Sequence, residues 1–309
     1  MALPSQPRVG YLGPEGTFSE QALLASARPH SVRPVPRESI YDVVTALRAG
    51  EVEFALVPIE NSLEGSISVT LDLLAEDASG VEIVAEALLR VSHCLIAHEH
   101  VALQEIDTVL SHPQVLGQCA RLLRGELSAA RALPASSSAD AVRTVAAERR
   151  RGLAAIGTPL AASIYGATVL REEVQDRRDN ETRFAWLARA GLADEPPLPV
   201  PVRVPAEEAN FKTSLVFWGS GADRPGWLVR CLGVFAERDI NLTKIESRPR
   251  RERLGSYMFF ADLSGHLRDP AVAEALEEVR SLCAEVRVLG SYREASAGAN
   301  AEPPGASGR

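Results

Sequence analysis

An α/β chain of two lobes flanking a cleft, followed by a smaller βαββαβ domain, is the fold class that these 309 residues predict. Three features carry that reading. Apolar runs of strand length alternate with helical periodicity from residue 8 to residue 188. Pro196, Pro197, Pro199, Pro201 and Pro205 then disfavour helix and sheet alike and define an extended linker. After it the alternation restarts, and the chain ends in an Ala, Gly, Ser and Pro tail without periodicity. The expected division is a catalytic-size domain over 1–191, a linker over 192–210, a second domain over 211–293 and a disordered tail over 294–309.

Taken in order, the first domain opens with a strand over 8–12, helices over 19–27 and 40–49, a buried strand over 54–58 and a helix over 68–74. A second set follows: an extended strand over 86–97, helices over 114–124 and 139–148, a strand over 154–156 and a helix over 159–165 whose Pro159 suits a first turn. A strand over 184–188 closes the unit. Two such lobes joined by crossovers leave a cleft, where ligands of α/β folds bind. In the second domain the elements are a strand over 212–218, a helix over 226–238 with Leu228, Cys231, Leu232 and Phe235 on one face, strands over 241–247 and 257–263, a helix over 270–282 and a strand over 286–292.

Composition narrows the function. With 46% apolar and 24% charged residues this is an ordinary globular chain, and its apolar runs are too short to span a membrane. The first eight residues lack the apolar core of an export signal, so the expected location is the cytoplasm. A net charge of -8 argues against nucleic acid as partner. Cys94, Cys119, Cys231 and Cys283 have no zinc or disulfide spacing and read as small buried hydrophobes; no metal site is expected. The only lysines are Lys212 and Lys244, an excess of Arg that reads as coding bias.

Four loops and one strand start carry the chemistry. Gly13-Pro14-Glu15-Gly16-Thr17-Phe18-Ser19 turns tightly from strand to helix and offers Thr17 or Ser19 as a cap, with backbone donors for an anion. Glu60, Asn61 and Ser62 follow a buried strand directly, more polar groups than a turn needs. Ser111-His112-Pro113-Gln114 ends a strand and starts a helix, placing Gln114 and Gln118 on one helical face, while His112 reads equally well as a cap. The loop at Gly157 and Thr158 delivers Thr158 to the other side of the cleft. Asn180-Glu181-Thr182-Arg183-Phe184 sets a hydroxyl beside a guanidinium, a donor and a carboxylate fork in one place.

In this order, the stretches Gly10-Tyr11-Leu12-Gly13-Pro14-Glu15-Gly16-Thr17-Phe18-Ser19, Val57-Pro58-Ile59-Glu60-Asn61-Ser62, Ser111-His112-Pro113-Gln114 with Gln118-Cys119, and Asn180 to Phe184 resemble the motif set of the prephenate dehydratases. The resemblance spans about residues 8–190 and implies a catalytic domain with the two-lobed fold of periplasmic binding proteins. It also implies conversion of prephenate to phenylpyruvate, a cofactor-free reaction that aromatisation drives. Thr182 is then the catalytic contact to the departing hydroxyl, with Glu60, Ser111 or water as proton source, because a threonine hydroxyl is too weak an acid alone. The implied substrate-binding set is Asn61, Ser62, Gln118, Thr17, Thr158, Arg183 and Phe184. Arg183 is either a carboxylate partner or an internal ion pair with Asp179 or Glu181.

The second domain resembles the ACT domain, a ferredoxin-like amino-acid sensor, and Glu246-Ser247-Arg248-Pro249 matches its phenylalanine-responsive form. Gly226, Trp227, Leu228 and Val229 join those four residues as the implied effector site. The family has Gly-Ala-Leu at this helix start, so Trp227 is a departure: its indole either narrows the effector pocket or packs sideways. Exposed sheet edges imply a homodimer or homotetramer. Two other functions fit the same lobes: dehydration of arogenate, and non-catalytic solute reception, which calls for an export signal or signalling partner.

Overall fold

The computed structural model describes residues 6–77, 80–191, 199–200, 210–219, 224–252 and 254–295. The expected linker and tail lie outside the described residues, apart from 199–200, 210 and 294–295.

The first lobe begins with β1 (Arg8–Leu12), α1 (Phe18–Ser26), β2 (Arg33–Arg37), α2 (Ile40–Arg48) and β3 (Phe54–Asn61). Thr17 and Ser39 cap the two helices by accepting N–H groups of their first turns. β2, Arg-Pro-Val-Pro-Arg, has no counterpart among the expected strands. Among the described residues it lies at the sheet edge, paired in parallel with β1 alone, where prolines that cannot donate to a second neighbour are tolerated. β4 (Gly65–Ser66) and α3 (Ser68–Asp72) follow; the helix widens into a π-helical turn over Leu73–Asp77 before β5 (Val81–Arg90).

The chain then crosses over. β6 (Cys94–Ala97), β7 (Thr108–Ser111), α4 (Pro113–Gln118), α5 (Ala120–Arg124), β8 (Arg131–Pro134), α6 (Ser138–Glu148), β9 (Leu153–Gly157), α7 (Pro159–Tyr165) and β10 (Thr168–Arg171) build the second lobe, and β11 (Glu181–Arg189) returns to the first. The single strand expected over 86–97 is therefore two strands in different sheets. No Gly or Pro marks the break at Val91-Ser92-His93, and the apolar stretches on its two sides read as one strand. The helix expected over 114–124 is likewise broken, at Cys119 (φ -118, ψ 29). The two crossing segments are tied together by Val91 N–H to Asn180 O at 2.8 Å and Val174 N–H to His93 O at 2.9 Å.

The last described part runs β12 (Phe211–Trp218), α8 (Trp227–Ala236), β13 (Leu242–Pro249), β14 (Tyr257–Ser264), α9 (Pro270–Leu282) and β15 (Glu285–Arg293), the expected βαββαβ. The three sheets have strand orders β2-β1-β3-β11-β5 with β4 off β3, β10-β6-β9-β7-β8, and β13-β14-β12-β15.

The first sheet is buried on both faces. On one, Tyr11, Phe54, Leu56, Phe184 and Trp186 pack under Leu23 of α1. On the other, Ala55, Val57, Ala185 and Leu187 meet α2 and also Val216, Met258, Phe260, Leu289 and Tyr292 of the third sheet. The C-terminal domain thus sits on the back of the first lobe, with α8 and α9 covering its own far face. Within that far layer Cys231 and Cys283, remote in sequence, bring their Sγ atoms to 3.8 Å.

The seam between β15 and β5 is tight at Gly290, where a Cβ would lie 2.1 Å from the backbone oxygen of Ile83. Because backbone cannot swing aside as a side chain can, Gly290→Ala is expected to force β15 off β5 and to cost roughly 1–3 kcal/mol. A melting temperature equal to the parent's by scanning calorimetry contradicts that close approach.

Candidate active site

Residues alternate across a strand, so neighbours on β11 point to opposite faces of the first sheet. Thr182 pairs with Asn61 on β3, and Arg183 pairs with Glu60 one step along. The sheet therefore carries the Thr182–Asn61 pair on the face of Phe184 and Trp186, and Glu60 with Arg183 on the back. The hydroxyl and guanidinium that the sequence sets side by side are separated by the thickness of the sheet.

Asn61 organises the front face. Its Oδ1 accepts the N–H groups of Leu63 and Glu64, both at 3.0 Å, which fixes the amide so that Nδ2 points the other way. Nδ2 then donates to Asn180 Oδ1 at 2.8 Å, Thr182 Oγ1 at 3.0 Å and Glu181 O at 3.2 Å. Ser62 closes the cluster: its hydroxyl accepts from Glu181 N–H at 2.9 Å and donates to Asp179 O at 3.3 Å. Asn61 and Asn180 are buried, whereas Thr182 keeps partial exposure.

From this cluster the contacts run into the second lobe. Gln118, left at a helix end by the break at Cys119, donates its amide to Glu64 Oε1 at 3.4 Å. The Gln118 Oε1 atom lies 2.9 Å from Nε2 of His93, a residue only 1% exposed in the crossing segment. An amide oxygen can only accept, so Nε2 carries the proton and Nδ1 is bare; among the described residues Nδ1 has no partner. Burial pushes the His93 pKa below its ordinary value, against a weaker upward pull from Gln118. Its ring meets Phe18 edge to face at 5.2 Å.

Next to Phe18, the Gly13 to Ser19 loop touches the second lobe directly. Thr158 donates to Gly16 O at 2.6 Å, and Tyr165 donates to Glu15 O at 2.9 Å. Gly16 (φ 85) approaches so closely that a Cβ would lie 2.8 Å from that of Ala161. Thr17 donates to Leu12 O at 3.0 Å while capping α1, and the fully buried Ser111 donates to Ile156 O at 2.6 Å. The structure thus gathers Thr182, Asn61, Ser62, Gln118, Thr17 and Thr158 along one seam. The protons of Thr17, Thr158 and Ser111 are committed to backbone carbonyls. Phe184, 1% exposed, belongs to the core beneath the seam. His112 caps α4 through its contact with Gln114 N–H.

Two members of this seam are missing from the sequence-based set. Asn180 shares a face with Thr182 by i, i+2 spacing, a signal that was available. His93 had none, since a histidine after Arg90 and Ser92 between two apolar stretches does not by itself mark a crossover.

The back face holds the charges. Arg183 reaches Glu60 and Asp262, each at 2.8 Å from Nη2, and Glu86 at 3.3 Å from Nη1; the sequence had offered Asp179 or Glu181 as its ion-pair partners. Burial works to lower the Arg183 pKa, but the field of Asp262, Glu86 and Glu60 outweighs it and holds the pKa above the usual arginine range. Lys212 bonds both oxygens of Glu86 at 3.1 Å, and Lys244 lies 3.3 Å from Glu60 and 3.6 Å from Glu246. Both lysines of the chain stand in this seam.

In the C-terminal domain the implied effector residues divide the same way. Along β13, Lys244, Glu246 and Arg248 are half-buried and alternate with exposed Ile245, Ser247 and Pro249. Arg248 grips Asp72 at 2.6 and 2.9 Å and Ser68 at 2.7 Å. At the start of α8, Gly226 and Val229 are exposed and Leu228 is half-buried, but Trp227 is 4% exposed. Its ring packs against Phe217 and Phe259, and its N–H donates to Leu282 O at 2.8 Å. The sideways packing left open by the sequence is the arrangement found.

This geometry defines a class: a two-lobed α/β enzyme with hydroxyl and amide groups along the seam and a βαββαβ domain bound to its back. The prephenate dehydratase family profile matches residues 9–191, and the ACT domain profile matches residues 220–281. The prephenate dehydratase of Mycolicibacterium vanbaalenii is 39% identical over 96% of this chain and 95% of its own length. The crystal structure of prephenate dehydratase from Arthrobacter aurescens in complex with L-Phe is 34% identical, with a TM-score of 0.80 over 93% of this chain and 90% of that one. A structure described as GqqA, a novel type of quorum quenching acylase, is 27% identical, with a TM-score of 0.79 over 93% of this chain and 98% of that one. The chain belongs to the prephenate dehydratase family.

Two outcomes follow from the site. A histidine kept neutral by burial adds stability that is fully present above its unfolded pKa of about 6.5 and is lost as pH falls through its folded pKa. Urea midpoints between about pH 7.5 and about pH 5 are expected to drop more steeply for the parent than for His93→Gln, and parallel curves contradict a buried neutral imidazole. Trp227→Ala is expected to cost the fold about 3–5 kcal/mol by opening a core cavity, a loss that denaturant titration reads directly.

Proposed function

We propose that this chain converts prephenate to phenylpyruvate, with Thr182 as the hydrogen-bond donor to the departing ring hydroxyl. The reaction takes up one proton and releases water and carbon dioxide: the bond from the ring to its hydroxyl breaks, and the bond to the ring carboxylate supplies the electron pair that completes the aromatic ring. One observation carries the assignment. Asn61 has its amide orientation fixed by two backbone N–H groups and donates to Thr182 Oγ1. The threonine oxygen therefore has a lone pair filled from behind, leaving its own proton free to point into the seam.

Thr182 acts as a donor to developing negative charge, and the net proton comes from water through it. Glu60 stands on the back face bound to Arg183 and Lys244, and the proton of Ser111 is held by Ile156 O. Their part is to hold the strands and loops that shape the seam. The substrate's carboxylates then need other donors, because Arg183 is enclosed by three acids. The Gln118 amide and the backbone N–H groups at the start of α1 stand at the seam for that purpose.

Phenylalanine is the proposed effector, as the complexed Arthrobacter relative and the sequence of β13 both suggest. β13 is also an edge strand with an exposed outer face, which favours pairing with a second copy and so a homodimer or larger homo-oligomer. Cytoplasmic location accords with this biosynthetic role; among the described residues no helix is long and apolar enough to cross a membrane. Relatives named as prephenate dehydratases reach 40% identity against 27% for the acylase, which favours dehydration over acylase activity.

Thr182→Val removes the donor at constant shape and is expected to lower turnover on prephenate about a hundredfold or more, whereas Thr182→Ser retains most of it. Phenylpyruvate is followed by chromatography, with arogenate as a parallel substrate. Near-full turnover by a Val variant with parental circular dichroism contradicts the role of Thr182.

A further inference from the structure

We propose that Asp262 and Lys244 of the C-terminal domain are positioning residues for the reaction, setting the Thr182–Asn61 pair from behind the sheet and forming the joint through which an amino acid bound to that domain changes turnover. This rests on the placement of Thr182 and Asn61 in the reacting seam. Each of those residues has as its chain neighbour a charged residue on the back face, and each neighbour is held by the C-terminal domain. Arg183, next to Thr182, is bound by Asp262 of β14 at 2.8 Å. Glu60, next to Asn61, is bound by Lys244 of β13 at 3.3 Å. Arg183 and Glu60 also join each other, so the two catalytic strands and the two regulatory strands meet in one cluster.

The cluster is suited to passing on a displacement. The Arg183–Asp262 pair is at most 10% exposed on both sides, so little water or salt screens it, whereas Glu60, which Lys244 and Arg183 also hold, is 37% exposed. Neither end is free to slide. Asp262 also accepts from Ser214 at 2.6 Å, and that hydroxyl meets Tyr292 at 2.8 Å. Lys244 additionally contacts Ser66 on β4, the partner strand of Glu60 and Asn61. On β13, Lys244 is two residues from Glu246 and four from Arg248, whose guanidinium grips Asp72 in the first lobe. An amino acid seated on the exposed side of β13, at Ser247 and Pro249, bears on a strand whose inner side chains hold the first lobe at three points. A shift of β13 or β14 relative to β11 must move Arg183 or break its ion pair, and Thr182 is one peptide unit away.

The test uses the full-length chain with Asp262→Asn, Lys244→Met and Asp262→Glu, checked for folding by circular dichroism. Asp262→Asn and Lys244→Met are expected to lower kcat by about tenfold with KM for prephenate nearly unchanged, the size for residues acting through position. Calorimetry is expected to show phenylalanine binding as in the parent, while the fold-change that phenylalanine causes in turnover shrinks toward one. Asp262→Glu restores part of both. Hydrogen exchange at 181–184 supplies a readout independent of turnover: phenylalanine alters protection there in the parent but not in Asp262→Asn. Parental kcat, parental response and parental exchange in both Asp262→Asn and Lys244→Met overturn the proposal. A parent inactive on prephenate sinks the functional reading instead, and the exchange experiment still decides whether the joint couples the two domains.

Discussion

The two-residue alternation of β11 is the constraint on which the molecule depends. Thr182 can face the seam between the lobes only if Arg183 faces away from it, and a guanidinium on the back of a buried sheet must find acids there. Glu60, Glu86 and Asp262 provide them, and the last belongs to another domain. The docking of the C-terminal sheet is thus part of the solution to a problem that β11 creates. Without that sheet, the back face would present Val57, Ala185 and Leu187 along with a cluster of unbalanced charge.

Buried ion clusters of this kind seldom add net stability. Desolvation offsets most of the Coulombic gain, and apolar residues of the same shape often hold a fold together as well or better. What the charges do provide is a single allowed alignment, since removing one partner from a buried pair costs about 3–5 kcal/mol. The choice of cations fits this. Arg183 uses its planar fork to reach three acids at once, whereas Lys212 and Lys244 place compact charges where a fork does not fit. In a chain whose other cationic side chains are arginines, finding both lysines in one seam argues for position rather than coding bias.

Much of the architecture was legible because periodicity reports which faces are apolar. The helices of the first lobe, β1, β3, and all six elements of the C-terminal domain lie within a few residues of their expected places. The misses have local causes. Proline hid β2, because edge strands escape the rule that excludes proline from sheets. β8 is exposed along its whole length and so carries no apolar signal. The crossover at His93 was missed, since Arg90, Ser92 and His93 between two apolar stretches do not by themselves say that the stretches enter different sheets. In the site, Asn61, Ser62, Ser111, Thr158 and Thr182 were legible as a set because each stands at or next to a strand end, while the fate of their protons was not. Whether Ser111 or Thr158 offers a hydroxyl to a ligand depends on which carbonyl lies opposite, and tertiary structure decides that.

The misreading of Arg183 and the uncertainty over Trp227 share one origin. A string of adjacent residues looks like a single patch when written as a sequence, but on a strand it is two half-patches on opposite sides. Glu246-Ser247-Arg248-Pro249 divides as Thr182 and Arg183 do: Glu246 and Arg248 turn toward the first lobe, Ser247 and Pro249 away from it. A helix start divides differently. With roughly 3.6 residues per turn, Trp227 points into the layer with Cys231 while Gly226 and Val229 remain outside. The bulk of the indole is absorbed by the core, and the Trp227 backbone N–H turns back to Arg224 O at 3.3 Å. A large residue at that position therefore stays off the outer surface of the domain. The strand proposed to receive an amino acid on its exposed side is the same strand that holds Glu60 and Asp72 on the other.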